Sequence, residues 1–384
     1  MADTSGLQHL VLIGAGAGHW RVLESLAQRR SVRLSVTVVS PNATPANASL
    51  VGEFVAGRLS AEACQWSLTS LAQRCGARRV LAGVRALEPD LQRVVLSNGE
   101  TLRYDWLSVN LEPETNRERL AQQIPGALEH ALNLWPLPIF FKLLPQLVQL
   151  STRKPLNIGV VGGGVAAVEV ALALHHRLAT ASESQPSRVS LVTGGEAALA
   201  NCPAALQQRV LALLKHRQIT VLRDRCVGIG ETELLLASGA RLACDAPVLA
   251  IEAAPPNWMG SCGLALGEAG LIAVDDQMRS TSHPQVFALG HGSNDHLDGP
   301  QQALHEGERL AQLLRAALDG VTVSRRSPAR NGLDFITIGD RQAIVSWRSP
   351  WGAWVFEGSW VWRWRQWHDA RNLPHTGLPG PQQE

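Results

Sequence analysis

The chain of 384 residues lacks an excess of charge of either sign, with 35 Lys and Arg against 33 Asp and Glu. No strong field covers the whole surface to draw in a polyanion, so nucleic acid is not expected as a partner. A secretory leader is also not expected. MADTSGLQHLVLIGAGAG has no basic n-region and runs into a glycine loop within its first apolar stretch, which points to a cytoplasmic protein. The longest apolar run, Leu132 to Leu150, is broken by Pro136, Pro138, Lys142 and Pro145 and does not suit a spanning helix. The cysteines (Cys64, Cys75, Cys202, Cys226, Cys244, Cys262) include no CxxC or CxxxxC pair. That leaves neither metal-ligand spacing nor a neighbouring redox dithiol, and it favours inert buried thiols. His175, His176 and His216, or His291 with His296, match no familiar ligand set, so no metal is expected. No nucleophile elbow accompanies the many Ser, His and Asp residues, and a hydrolase gains no support.

What is present is a core-forming composition, 45% hydrophobic and 18% charged, in a chain long enough for two domains. HLVLIGAGAGHWRVLESLAQRR reads as strand, tight turn and helix, and RLSVTVVSPN from Arg33 closes a βαβ unit. LNIGVVGGGVAAVEVALALHHRL repeats the plan from Leu156, with RVSLVTGG from Arg188 as its next strand. The duplication extends further. LSNGETLRYDWLSVNLE (Leu96 to Glu112) aligns without gaps to LASGARLACDAPVLAIE (Leu236 to Glu252), each a hairpin, a shared Asp (Asp105, Asp245) and an apolar strand ending in Glu.

The expected fold class is therefore α/β, with two Rossmann-like dinucleotide-binding domains, the second inserted in the first, plus a small C-terminal β-rich region. The expected boundaries are 1–114 and 245–330 for a discontinuous first domain, 115–154 for a crossover segment, 155–244 for the second domain and 331–384 for the C-terminal region.

In a dinucleotide fold the first loop glycine permits the turn, the second lets backbone N–H groups approach the pyrophosphate, and the third position lets helix and strand pack closely. These positions are Gly14, Gly16 and His19 in the first loop and Gly162, Gly164 and Ala167 in the second. A single such loop is weak support; two at the heads of duplicated modules are strong. The bland alternative is a Rossmann-like pair that holds no nucleotide.

These residues resemble the two-dinucleotide-domain flavoproteins, the pyridine nucleotide-disulfide oxidoreductase superfamily. They look nearest to type II NADH dehydrogenase-like proteins and to the flavoprotein module associated with selenide, water dikinase. The likeness rests on HLVLIGAGAGHW, which has a His at the third loop position as in that branch, and on VVGGGVAAVEVALAL, TSHPQVFALG, GDRQAIVSW and GSWVWRWRQWHDARN. The resemblance implies an FAD domain with an inserted NAD(P)H domain and hydride transfer from nicotinamide to flavin. It also implies Glu169 near the hydride path, a flavin contact at Gly290 and His291, and electron delivery to a quinone or another small-molecule acceptor.

Several positions depart from that pattern. The strand that should end in a ribose-binding acid ends at Ser40-Pro41-Asn42, where Ser40 is the remaining candidate for a ribose hydroxyl. Gly290-His291 replaces Gly-Asp, Leu111-Glu112 and Ile251-Glu252 replace Thr-Gly-like strand ends, Trp135 precedes Pro136, and His305-Glu306-Gly307 stands for Arg-Gln-Gly. Two readings follow: a flavoenzyme with unusual contacts from His291 and His305, or a fold that has lost FAD and serves as a scaffold or binding partner. Thr193-Gly194-Gly195 ends the second nucleotide strand with neither an acid nor an arginine, leaving NADH and NADPH both open. Trp360, Trp364 and Trp367 fall on one helical face beside Arg363 and Arg365, which suits peripheral contact with the inner face of a membrane, packing against the flavin domain, or a homodimer.

Overall fold

In a computed structural model of the chain, residues 7–181, 187–251, 255–267, 270–290, 293, 299–321, 332–349 and 352–372 are described. The chain begins with β1 (Gln8–Ile13), α1 (Ala17–Gln28), β2 (Leu34–Val39), α2 (Val51–Val55), α3 (Leu68–Cys75) and β3 (Arg78–Val80). An antiparallel trio follows, β4 (Val84–Glu88), β5 (Arg93–Leu96) and β6 (Thr101–Arg103), and then β7 (Trp106–Val109). Helices α4 (Arg117–Gln123) and α5 (Ala127–His130), strand β8 (Leu132–Asn133) and helix α6 (Leu137–Ser151) lead to the second loop. There the chain forms β9 (Asn157–Val161), α7 (Val165–Ala181), β10 (Arg188–Val192), α8 (Ala204–His216) and β11 (Thr220–Leu222). A second trio, β12 (Cys226–Ile229), β13 (Glu233–Leu236) and β14 (Arg241–Ala243), precedes β15 (Ala246–Leu249). The remainder is β16 (Val286–Ala288), α9 (Gly299–Asp319), β17 (Gly332–Gly339), β18 (Gln342–Ser349), β19 (Gly352–Gly358) and α10 (Ser359–Asn372).

Two compact units result. The first comprises 1–47, 65–114 and 255–328; the second comprises 48–64, 115–254 and 329–384. In the first, a parallel sheet runs in the order β16-β7-β1-β2-β3. Helices α1 and α9 pack together in this unit. Residues Leu10 to Ile13 are buried, which explains why β1 reads as a continuous apolar run and not as an alternation. In the second, the order is β11-β10-β9-β15-β8. Each sheet carries its glycine loop at the C-terminal end of a strand flanked on one side by the next strand in sequence and on the other by a later one, the switch point at which such sheets bind ligands.

The duplication seen in sequence is present in detail. Asp105 accepts a hydrogen bond from His9 N at 2.6 Å, and Asp245 accepts one from Asn157 N at 2.8 Å, so each shared Asp ties its hairpin to the first strand of its own sheet.

Four of the expected divisions need correction. β15 pairs with β9 and β8, so the chain returns to the first unit only at Pro255, not at Asp245, and the 115–154 crossover belongs to the second unit through β8. Ala48–Cys64, expected in the first domain, joins the second, where Phe54 packs on Phe140 and Phe141 with ring centroids 6.4 and 4.3 Å away. The C-terminal region is not a separate body. Its antiparallel sheet β17-β18-β19 packs against α7 and α2 in the second unit, and α10 covers one face through Val361, Trp362 and Trp364.

Candidate dinucleotide sites

The two glycine loops have the same backbone frame. Gly14 N donates to Val39 O at 2.7 Å and Gly162 N to Val192 O at 2.8 Å, while Asn110 N donates to Ile13 O at 2.9 Å and Ala250 N to Val161 O at 2.8 Å. Gly14 has φ +89° and Gly162 φ +147°, and a Cβ on either would lie 2.3 Å from a carbonyl oxygen, that of Asn110 or of Ala250. Only glycine fits that approach. Ala167 is buried at the start of α7, where its small side chain permits the helix to pack close to the loop.

At the second glycine of each loop the copies diverge. A Cβ on Gly164 would meet nothing within 4 Å, and the same holds for Gly194 and Gly195 beyond the end of β10. The second unit thus presents bare, open backbone at a helix N-terminus, as a pyrophosphate requires. A Cβ on Gly16 would lie 2.5 Å from Asn110 Oδ1. Asn110 is buried and stitches four segments together: its carbonyl accepts from Gly16 N at 3.2 Å, its Oδ1 from His19 N at 3.1 Å, its backbone N–H bonds β1, and its Nδ2 donates to Leu289 O at 3.0 Å. The aligned hairpins placed Asn110 opposite Ala250, and that one-letter difference was the sequence signal for the residue.

His19 is fully buried. A carbonyl can only accept, so Nδ1 donates to Gly14 O at 2.7 Å, and Nε2 therefore accepts from the Ser108 hydroxyl at 2.8 Å. Burial lowers the imidazole pKa to about 4 against the partial support of Gly14 O, so His19 is a neutral staple under the loop.

Ser40, the candidate for a ribose hydroxyl, is buried; its hydroxyl closes a turn by accepting from Asn42 N at 3.0 Å and donating to Asn42 O at 3.3 Å. The Asn42 side chain instead donates to Glu112 Oε2. Because β2 and β7 flank β1, this bond spans the C-terminal end of β1. Burial raises the Glu112 carboxyl to about 7; Asn42 opposes that rise and Glu114 adds to it. Gly290 (φ +48°) donates its N–H to Glu306 Oε2 at 2.9 Å, while His291 and Glu252 lie outside the described residues.

Glu169 sits in a buried polar cluster of the second unit. Its carboxylate accepts from Thr337 N at 2.7 Å and from Arg365 at 2.9 Å. Arg365 lies 3.5 Å from Asp369 and also donates to Thr337 Oγ1 and Ser49 O. Burial works against the Arg365 charge, yet Glu169, Asp369 and Glu53 hold its pKa above the ordinary value. Glu53 is itself held by Arg58 at 2.6 Å and Trp362 Nε1 at 3.1 Å. On α10, Arg365 points into the protein, and Trp364 stacks on Trp360 and meets Phe335 edge-on. Trp347, Trp354, Phe356, Trp360 and Trp367 are exposed.

None of the six cysteines is in a disulfide. Burial pushes the Cys64 thiol up to about 12, with Glu53 and Glu62 adding to it, and the Cys244 thiol up to about 11, so neither favours thiolate chemistry. Among the described residues no helix is long and apolar enough to cross a membrane.

The profile of the pyridine nucleotide-disulphide oxidoreductase family matches residues 8–307. The chain is similar to a demethylphylloquinone reductase of Synechocystis, 25% identical over 222 residues, 55% of this chain and 53% of that protein. It is also similar to an alternative NAD(P)H-ubiquinone oxidoreductase of Arabidopsis thaliana, 26% identical over 223 residues, 52% of this chain and 42% of that protein. The chain spans about half the length of these curated relatives. Among solved structures, the sulfide:quinone oxidoreductase of Aquifex aeolicus shares the fold with a TM-score of 0.81 at 15% identity, over 95% of this chain and 90% of that one.

Proposed function

We propose that this chain, which belongs to the pyridine nucleotide-disulphide oxidoreductase family, is an FAD-dependent NAD(P)H oxidoreductase in which a hydride from the nicotinamide reduces the flavin and the electrons pass to an acceptor of the quinone class. The observation that carries this reading is the pair of matched glycine loops, each at the switch point of its own parallel sheet, with the cradle at Gly164, Gly194 and Gly195 open. The second unit fits a nicotinamide dinucleotide: Gly162 and Gly164 would hold its pyrophosphate and the end of β10 its adenosine ribose. The first unit keeps the Gly14 turn and the N-terminus of α1, which fit the FAD pyrophosphate. Glu169 acts in this reading as a positioning residue, tying α7 to β17 and α10.

Within the second unit NADPH is the better supported donor. Thr193 N donates to Leu222 O at 3.0 Å and Gly194 N to Asp224 O at 2.9 Å, which sets Arg223 beside the end of β10. Arg223 and Arg225 are exposed, and among the described residues neither guanidinium has an ion-pair partner. A 2′-phosphate at that ribose would find the cations Arg223 and Arg225 nearby, with Glu196 and the Ser238-bonded Asp224 as the neighbouring acids.

One observation favours the second reading, a fold that has lost FAD. Asn110 Oδ1 takes the His19 N–H and Glu306 takes the Gly290 N–H, so the protein's own side chains satisfy donors near the first loop. The visible spectrum of the purified protein, with and without added FAD, separates the two. A yellow protein, or one that FAD saturates, supports the flavoenzyme; a colourless protein that FAD neither saturates nor stabilises removes it.

The exposed aromatics Trp347, Trp354, Phe356, Trp360 and Trp367 of the second unit support peripheral contact with a membrane surface, where a quinone would be met. A homodimer through the same patch is the competing use.

A further inference from the structure

We infer that Glu112 is the carboxylate that takes the ribose hydroxyls of the adenosine half of the dinucleotide bound by the first unit. The inference rests on the proposed flavin site and names a contact within it. In a dinucleotide fold an acid at the end of the second strand accepts from the adenosine ribose. Here the residue after that strand is Ser40, whose hydroxyl is buried and engaged with Asn42. An acid nevertheless reaches the same place from the other side of the glycine loop. Glu112 lies three residues past the end of β7, β7 is the neighbour of β1 opposite β2, and the carboxylate bonds the side chain of Asn42, three residues past the end of β2. The two side chains therefore meet across the loop, Asn42 coming from the β2 side and Glu112 from the β7 side.

Two further features mark Glu112 as a group that would gain from a ligand. Oε1 is buried and has no hydrogen-bond partner, while Oε2 has the Asn42 amide. A buried carboxylate oxygen left without a donor is costly. Burial also raises the carboxyl pKa, as expected for an acid short of donors. A ribose diol brings two O–H donors to one carboxylate and would satisfy the empty oxygen. The same side chain that looks, in the sequence, like a glutamate obstructing a glycine position is then the missing ribose acid carried on a different strand.

The sign of one substitution separates a grip from an obstruction. FAD binding to the full chain, followed by quenching of flavin fluorescence, is measured for the wild type, Glu112→Gly and the near-isosteric Glu112→Gln, with FMN, which lacks the adenosine, as the companion probe. We expect both variants to weaken FAD binding by about tenfold to a hundredfold, the size of losing hydrogen bonds to a charged group, and to leave FMN binding alone. Returning an acid to the β2 side in Glu112→Gly/Asn42→Asp should recover most of the loss, which a merely structural role for Glu112 would not allow. Unchanged or tighter FAD binding in Glu112→Gly and Glu112→Gln overturns the inference while leaving the first unit a flavin site. Failure of the wild type and every variant to bind FAD removes the flavin reading and the inference together.

Discussion

Arg365 donates to the Glu169 carboxylate across 2.9 Å with both side chains buried. The pair joins α7, which carries the second glycine loop, to α10, which closes the C-terminal sheet, and Thr337 of β17 bonds both partners. The acidic residue expected beside the hydride path is thus held by a cation 196 positions away in sequence.

Removing that cation should be severe. Arg365→Ala leaves Glu169 and Asp369 buried without their counter-charge, and losing one partner of a buried pair costs about 3–5 kcal/mol. Urea unfolding should show that loss, and a change below about 1 kcal/mol would mean that the cluster is solvated.

The two loops should respond differently to the same substitution. Gly16→Ala forces a Cβ against Asn110 Oδ1, which is anchored by His19 N and Leu289 O, and overpacking of this kind costs about 1–3 kcal/mol. Gly164→Ala meets nothing within 4 Å, so it should leave the melting temperature unchanged and weaken nicotinamide dinucleotide binding. Calorimetric binding paired with thermal melts checks both, and equal melting losses in the two variants would contradict the asymmetry.

The pH dependence of stability should carry the signature of His19. Its folded pKa of about 4 lies below the ordinary 6.5, so between those values the unfolded chain binds a proton that the folded chain does not. Stability therefore falls as the pH drops from 6.5 toward 4, by at most about 3 kcal/mol from this group, and the slope from it vanishes below 4. His19→Gln, compared with wild type at pH 7 and pH 5, should be destabilised at neutral pH yet lose less on acidification. An identical pH slope in both proteins would rule out His19 as the source.

Donor choice should follow Arg223. Arg223→Ala should lower NADPH affinity relative to NADH by about tenfold, the loss expected of one charge-assisted contact, and 0.5 M salt should erode the wild-type preference. A wild type that binds NADH at least as tightly as NADPH would shift the assignment to Glu196.

Membrane contact should depend on the aromatic patch. Co-sedimentation with anionic liposomes should fall several-fold in Trp354→Ala/Trp360→Ala if the patch meets lipid. Unchanged sedimentation together with a shift from dimer to monomer would assign the patch to a second copy of the chain.

Much of this was legible in the linear chain. The glycine loops, the apolar strands and the gapless repeat of Leu96 to Glu112 at Leu236 to Glu252 all depend on local backbone geometry and strand burial, which leave a pattern in neighbouring residues. The same locality explains why the hairpin turns and the paired Asp105 and Asp245 fell where expected. Domain boundaries were less legible, because membership of a sheet depends on which strand pairs with which: β15 falls inside the repeat as the counterpart of β7 and so belongs beside β9, whereas β8 lies outside the repeat and carries no mark in its sequence that assigns it to β15.

The sequence by itself determined that the chain folds as two dinucleotide-type α/β modules and where their loops lie, since a turn that admits only glycine constrains a few adjacent residues. Only the tertiary structure decided what surrounds those loops. Asn110 under Gly16, Glu112 against Asn42, Arg223 beside Gly194 and Arg365 on Glu169 are meetings between segments distant in the chain. Parallel sheets bring strand ends together across long crossovers, so residues that share a site leave no spacing between them to read.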